Sequence, residues 1–386
     1  MSRGIRHFKI DISDDVLSDL QRRLKHTRWP DEIPGNDWRY GARKKWLKEL
    51  VHYWETEFNW NKQQELLNQP SQFKADISGI DLHFIHEKGK GENPMPLLMS
   101  HGWPGSVFEF YEILPMLTDP ESFGGDAKDS FTVIAPSLPG YNFSFSPNQN
   151  RFSAKQIADV LVVLMRDILG YEKFVAQGGD WGAFVTTLIG FHYPTLVHGI
   201  HLNLLPVRRD PDWLKNHISE DVRNYEVQLK EFLKEETGYQ WIQGTKPQTL
   251  SYALNDSPVG LAAWLVEKFF SWSDCDGDLD SLFGKDKLLT NIMLYWVTGS
   301  IGSSFWPYYA RYHQKGWIIP DGEFVRVPTG YVEFPKEILR PPRPVAEGMF
   351  ANLNRWTVAS KGGHFAAMEQ PETLAREIRD FFREFR

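Results

Sequence analysis

The sequence predicts an α/β fold, a mostly parallel sheet with helices on both faces and a helical block inserted into it. Three observations carry this. Apolar runs of strand length alternate with helical patterns between about residues 80 and 200. Strand signals then vanish from about Leu205 to Gly316, where aromatic-rich helical patterns take over. They return afterwards and end in an amphipathic stretch, "PETLAREIRDFFREF". A helical block that leaves a sheet and rejoins it reads as a cap over the strand ends, where α/β sheets place their ligands.

Taken in order, Ser13 caps a helix whose apolar face is Val16, Leu17, Leu20 and Leu24. Trp46, Leu47, Leu50, Val51 and Trp54 repeat the pattern, and "TRWPDEIPGNDWRYG" between them breaks any element. The first eighty or so residues read as a helical, loop-rich lead-in. "IDLHFIHEKG", "PMPLLMS", "SFTVIAPS" and "KFVAQGGD" read as strands, with a helix capped at Ser153 before the last of them. "SEDVRNYEVQLKEFLKEE", "SPVGLAAWLVEKFFSW" and "DKLLTNIMLYWVTGSIGSSF" are the helices of the insertion. "RVPTGYVEFPKEI" and "NRWTVASKGGH" are the returning strands.

Composition narrows the function. A hydrophobic fraction of 41% and a charged fraction of 24% over 386 residues suit a folded globular protein. The net charge of −7 carries no electrostatic footprint for nucleic acid. The single cysteine, Cys275, excludes an internal disulfide and fits a reducing, cytoplasmic setting. "MSRGIRHFKIDISDD" lacks the apolar core of a signal peptide or anchor. Fifteen tryptophans suit an apolar pocket and equally a bulky core. No Gly-x-Gly-x-x-G or Walker loop is present, "HFIH" lacks a third ligand, and "DCDGDLD" has Lys285 where a calcium loop needs glutamate. No cofactor and no metal are expected.

The chemistry starts at "VAQGGDWGAF", a strand, a Gly-x-Asp-x-Gly turn and an apolar helix. The same turn with serine is the nucleophile elbow of α/β-hydrolases. Alone, Asp180 could be a helix cap. The order of the other parts strengthens the case. His364 follows a strand and a Gly-Gly turn near the C-terminus, as the base does in that fold. The orienting acid belongs between them, where "GYVEFPKE" offers Glu333 and Glu337. Glu337, after the Phe-Pro turn, is the better choice. "SHGWPGS" lies where one oxyanion-hole amide arises, which nominates the N–H groups of Trp103 and Trp181.

An aspartate is ionised at neutral pH, with a reference pKa of about 3.9. It suits attack on a saturated carbon, giving an alkyl ester that water then hydrolyses. The leaving group decides the substrate. A halide needs N–H donors, whereas an epoxide needs an acid such as tyrosine for its emerging alkoxide. Tyr239, Tyr308, Tyr309 and Tyr312 are available in the insertion, and position alone selects no pair.

"HGWPGS", "QGGDWG", "GYQWIQGTKPQTLSYALNDSPVGLAAWLVEKF", "FPKE" and "GGHFAAMEQPE" together resemble the microsomal-type epoxide hydrolases, over nearly the whole chain. The resemblance implies an α/β-hydrolase core (91–205 and 317–386), a helical cap (206–316) and an N-terminal meander wrapping the core (1–90). It implies Asp180 as nucleophile, His364 as base, Glu337 as its acid, and Tyr239 and Tyr308 as proton donors, with Tyr309 the alternative to Tyr308. Animal members carry an N-terminal membrane anchor, and this chain starts where that anchor would end, so a soluble enzyme is expected. The substrate would be a small apolar epoxide, with water the second reactant. Whether copies of the chain associate is left open. The rival readings are a haloalkane dehalogenase with the same Asp–His logic and a catalytically inactive binding relative.

Overall fold

The computed structural model describes residues 4–207 and 219–386. Residues 208–218, within the stretch read as a cap, lie outside the described residues. Among the described residues nine strands form one sheet: β1 (Arg6–His7), β2 (Gln72–Ile77), β3 (Ile80–Glu87), β4 (Met95–Ser100), β5 (Phe131–Pro136), β6 (Phe174–Gly178), β7 (Val197–Leu202), β8 (Thr329–Glu333) and β9 (Leu353–Val358). Their spatial order is β1-β2-β3-β5-β4-β6-β7-β8-β9. From β5 through β9 neighbouring strands are parallel, while β1, β2 and β3 run antiparallel to their neighbours. The fold is the α/β class the sequence predicts.

The lead-in differs from its expectation. It contains the helices α1 (Asp14–Lys25), α2 (Lys44–Thr56) and α3 (Trp60–Leu67), but it also supplies β1 and β2 to the sheet edge. β2 carries Phe73, Ala75 and Ile77 at every second position, the signature of a strand with one face inward. Ser78 and Gly79 close the β2–β3 hairpin, both at positive φ (55° and 77°), as a two-residue turn between twisted strands demands. β7, "VHGIHL", is likewise a strand that the sequence reading passed over.

The central strands are covered on both faces, and their side chains sort by the period of two. Leu98, Ile134, Phe174 and Ala176 join the apolar cluster under α5 (Ala154–Val163) and α6 (Asp180–His192). Their neighbours Leu97, Met99, Val133, Ala135 and Val175 join the opposite cluster. There α4 (Ile113–Thr118) contributes Leu114 and Leu117, and the C-terminal helix Pro371–Phe382 contributes Leu374, Ile378 and Phe382. Each such side chain contributes about 1.5–3 kcal/mol on burial. Ser153 caps α5 with a full capping box to Gln156, as its position predicts.

Between β7 and β8 the described chain is helical: α7 (Glu220–Glu235), α8 (Gly238–Thr245), α9 (Pro247–Asp256), α10 (Pro258–Trp272), α11 (Leu279–Thr298), α12 (Ile301–Ser304) and α13 (Trp306–His313). α14 (Arg343–Glu347) follows β8, and α15 (Ala366–Glu369) with α16 (Pro371–Phe382) follows β9. α11 clamps the loop after β4. Asn291 Nδ2 donates to the Pro104 carbonyl at 2.9 Å, Ser106 Oγ to Asn291 Oδ1 at 2.7 Å, and Tyr295 Oη to the Gly105 carbonyl at 2.6 Å. Among the described residues no helix is long and apolar enough to cross a membrane.

Candidate active site

β6 ends at Gly178, and one residue later Asp180 opens α6 with φ at +47°. A non-glycine residue there costs on the order of 1–3 kcal/mol, so the surroundings must enforce it. The two glycines of the turn allow it. A β-carbon on Gly178 would collide with the Gly182 carbonyl, and one on Gly182 with the Ser100 carbonyl. The sharp turn lifts the aspartate carboxylate off the carboxyl end of the sheet.

Three loops meet that carboxylate. From the loop after β4, the Trp103 N–H donates to Asp180 Oδ1 at 2.7 Å. From the loop after β9, His364 Nε2 lies 3.3 Å from Asp180 Oδ2. From the turn after β8, Glu337 Oε1 receives His364 Nδ1 at 2.6 Å. The imidazole therefore pairs with Glu337 rather than with Glu333 on β8. Trp181 is in the first turn of α6, where backbone N–H groups have no intrahelical acceptor. His101 is buried with its pKa pushed down to about 4 by burial, and its Nε2 accepts the Leu138 N–H at 3.1 Å. It braces the loop as a neutral ring.

The His364 loop is itself pinned. The Glu369 carboxylate accepts the N–H groups of Gly363 (2.8 Å), Phe365 (2.9 Å) and Asp274 (2.8 Å). Asp274 Oδ2 in turn accepts the Gly362 N–H at 2.9 Å, so one carboxylate of the "DCDGDLD" run holds the turn before the histidine. The Trp272 carbonyl takes the His364 N–H at 2.9 Å.

Opposite Asp180 stand two buried tyrosines from the helical block. Tyr239 of α8 stacks on the Trp103 ring at 5.2 Å, and Tyr308 of α13 meets the Trp181 ring edge-on at 4.9 Å. The two phenol rings are 5.6 Å apart. Tyr309, one residue on, stacks instead on Trp306 and His313, and Tyr312 stacks on the exposed Trp241. Of the tyrosines left open by sequence, Tyr239 and Tyr308 face the carboxylate. A cavity of about 30 Å³ lies between, lined among others by Asp180, Trp181, Leu204, Tyr239 and Tyr308. Larger clefts of about 760 and 670 Å³ lie at the surface and touch neither Asp180 nor His364.

A family model described as the epoxide hydrolase N terminus matches residues 5–110, and one for the alpha/beta hydrolase fold matches residues 95–223. "Epoxide hydrolase 1" of Oryctolagus cuniculus is 41% identical over 98% of this chain and 88% of its own length. The solved juvenile hormone epoxide hydrolase of the silkworm Bombyx mori superposes with a TM-score of 0.89 at 32% identity, covering 99% of this chain and 95% of that one. The epoxide hydrolase of Aspergillus niger gives 0.86 at 28% identity, covering 99% and 97%. The chain belongs to the epoxide hydrolase family. It has the α/β-hydrolase fold.

In this epoxide hydrolase family member the charges around the site are set by burial and by each other. Burial opposes a charge on His364, but the Glu337 carboxylate and the bond to Asp180 outweigh it and hold the imidazole well above its ordinary value. Burial, reinforced by Tyr239 and Asp180, holds the Tyr308 phenol well above the usual tyrosine range. Its Oη, beside the Trp181 indole, makes no hydrogen bond of good geometry, whereas Tyr239 Oη receives Gln240 Nε2 at 2.9 Å.

Sequence reasoning missed several neighbours. Lys268 of α10 is buried with its ammonium 4.9 Å from the Tyr239 ring centre and 5.4 Å from that of Trp272, held by Glu267 at 2.8 Å. Trp272 also packs edge-on against His364 at 5.1 Å. Glu109, just after "HGWPGS", lines the same region as Asp180 and His364. A charge at helical spacing carries no local mark of such a place. Only the tertiary fold brings it there.

Proposed function

We propose that the protein opens epoxides to vicinal diols through an ester on Asp180. What supports this is the facing of an aspartate carboxylate, seated on a backbone N–H donor, by two buried phenols across one cavity. The Asp180 oxygen nearer His364 attacks a ring carbon while Tyr239 and Tyr308 supply a proton to the departing alkoxide. General-acid help of this kind is worth about 10² to 10⁴ in rate. Water then attacks the ester carbonyl, and the developing oxyanion takes the Trp103 and Trp181 N–H groups, worth about 3 kcal/mol per donor.

His364 changes role between the steps. Beside the Asp180 anion its imidazole is held charged. Once that oxygen is alkylated, the anion and its hydrogen bond are gone, and the imidazole falls toward its ordinary value. Its proton makes good the one the tyrosines gave to the alkoxide, and it is then a neutral base for the attacking water, oriented by Glu337. Alkylation switches on the base that reverses it.

The test is to trap the ester. The His364→Gln variant mixed with an aryl epoxide such as styrene oxide and quenched in acid should retain the substrate mass on the peptide containing Asp180. Asp180→Asn should retain none. Substrate mass on another residue, or none on the His364→Gln protein, would remove the assignment.

A further inference from the structure

A second cavity lies behind Asp180, separate from the tyrosine side. It is about 10 Å³ and is lined by Ser100, Glu109, Gln177, Asp180, Asn203 and His364, among others. That volume is about what one water needs, and a buried water also needs two to four polar partners. The walls offer them. Gln177 Oε1, on the sheet face of Met99 and Val175 that this cavity adjoins, is buried without a hydrogen-bond partner. Gln177 Nε2 is already committed to Asn203 Oδ1 at 2.8 Å, which fixes the amide so that its oxygen is the free end. A buried polar atom left unpaired is costly, which favours a polar occupant.

Glu109 completes the lining. Its carboxylate folds over the Gly105 backbone so closely that a β-carbon on Gly105 would strike Oε1. On its other side Glu109 borders the surface cleft that also contains Lys62 and Lys287. It therefore stands between solvent and the triad, and no step described above uses it.

From this the geometry points to Glu109 as the residue that positions the hydrolytic water, with Gln177 closing its cage. The inference rests on the ester mechanism proposed above. The water lies between His364 and the Glu109 carboxyl and presents a lone pair to Cγ of the Asp180 ester. As its oxygen bonds to Cγ, one proton passes to His364 Nε2, and the carbonyl electron pair moves onto the oxygen held by Trp103. Collapse breaks the Cγ–O bond to the alkyl group, the leaving alkoxide takes the proton from His364 to become the diol, and the proton left on the Asp180 carboxyl passes to His364 to restore the resting pair. Glu109 neither gains nor loses a proton. It accepts the hydrogen bond of the water's second proton. Burial, with the Asp180 charge nearby, pushes its pKa up to about 8 against the pull of His364, so a neutral acceptor suffices.

This distinguishes two substitutions. Glu109→Met keeps the bulk and loses the acceptor, whereas Glu109→Gln keeps a neutral carbonyl oxygen. With rapid-quench measurement of both half-reactions on styrene oxide, Glu109→Met should form the ester within about twofold of the native rate and hydrolyse it at least tenfold more slowly. Glu109→Gln should restore hydrolysis to within about threefold. The inference is overturned if Glu109→Met hydrolyses normally, if both half-reactions fall together, or if Gln does no better than Met. Should Glu109→Met fail to fold, a high-resolution crystal structure of the unaltered enzyme decides. An ordered water bonded to Glu109 beside His364 is expected, and a Glu109 carboxyl turned to solvent would refute the role. If native enzyme forms no ester at all, the proposed function fails instead.

Discussion

His364 is a fully buried imidazole with a carboxylate at each nitrogen, 2.6 Å from Glu337 and 3.3 Å from Asp180. Glu109 and Glu369 also face it, their own pKa values pushed up by burial to about 8 and about 7. Its raised folded pKa ties stability to pH in one direction. A histidine whose folded pKa lies above its unfolded value of about 6.5 lends stability that is complete below that value. The contribution is lost as pH rises through the folded pKa. Thermal melts of the native protein from pH 6 to 10 should therefore show falling midpoints on the alkaline side, with a shallower fall in His364→Gln. Equal slopes for the two proteins would mean that the imidazole is not held charged. At the same scale, one residue's shift along α13 separates Tyr308, under Trp181, from Tyr309, stacked on Trp306. No spacing argument could have chosen between them.

At the scale of elements, the elbow between β6 and α6 depends on the absence of two side chains. Gly178→Ala would drive a methyl group into the Gly182 carbonyl, where backbone cannot step aside. Overpacking of this kind costs about 1–3 kcal/mol and more where relaxation is blocked. A lowered urea midpoint is expected, and an unchanged midpoint would show that the turn is looser than described. This turn was legible in the sequence as a strand, a glycine turn and a helix, although Gly-x-Asp-x-Gly alone equally suits a helix cap and only the order of "SHGWPGS" and His364 around it pointed to a nucleophile. The capped helix at Ser153 and the strands β3 to β6 were legible for similar local reasons. β1 was not, since two residues hold no periodicity, whereas β2, with Phe73, Ala75 and Ile77 alternating with Gln72, Lys74 and Asp76, carried the signal and was passed over. Lys268 and Glu109 were illegible in principle. Each is an ordinary charged residue on a short stretch whose meaning comes from what folds against it.

Across the whole molecule, the site is assembled from segments far apart in sequence. The sheet brings Asp180, the loop of Trp103, Glu337 and His364 to one end. The helical block then fastens itself to two of those loops, through Asn291 and Tyr295 to Pro104 and Gly105, and through the Trp272 carbonyl to His364. The same block carries Tyr239 and Tyr308, so the proposed nucleophile and proton donors are held in one geometry from opposite sides. In the proposed mechanism this division of labour places the ester on the core and the proton donors on the insertion. In that mechanism the oxygen added to the epoxide comes from Asp180 and only later from water. One turnover in heavy-oxygen water with enzyme in excess tests that directly. The first diol should carry ordinary oxygen while the Asp180 carboxylate becomes labelled, and label in that first diol would contradict the account.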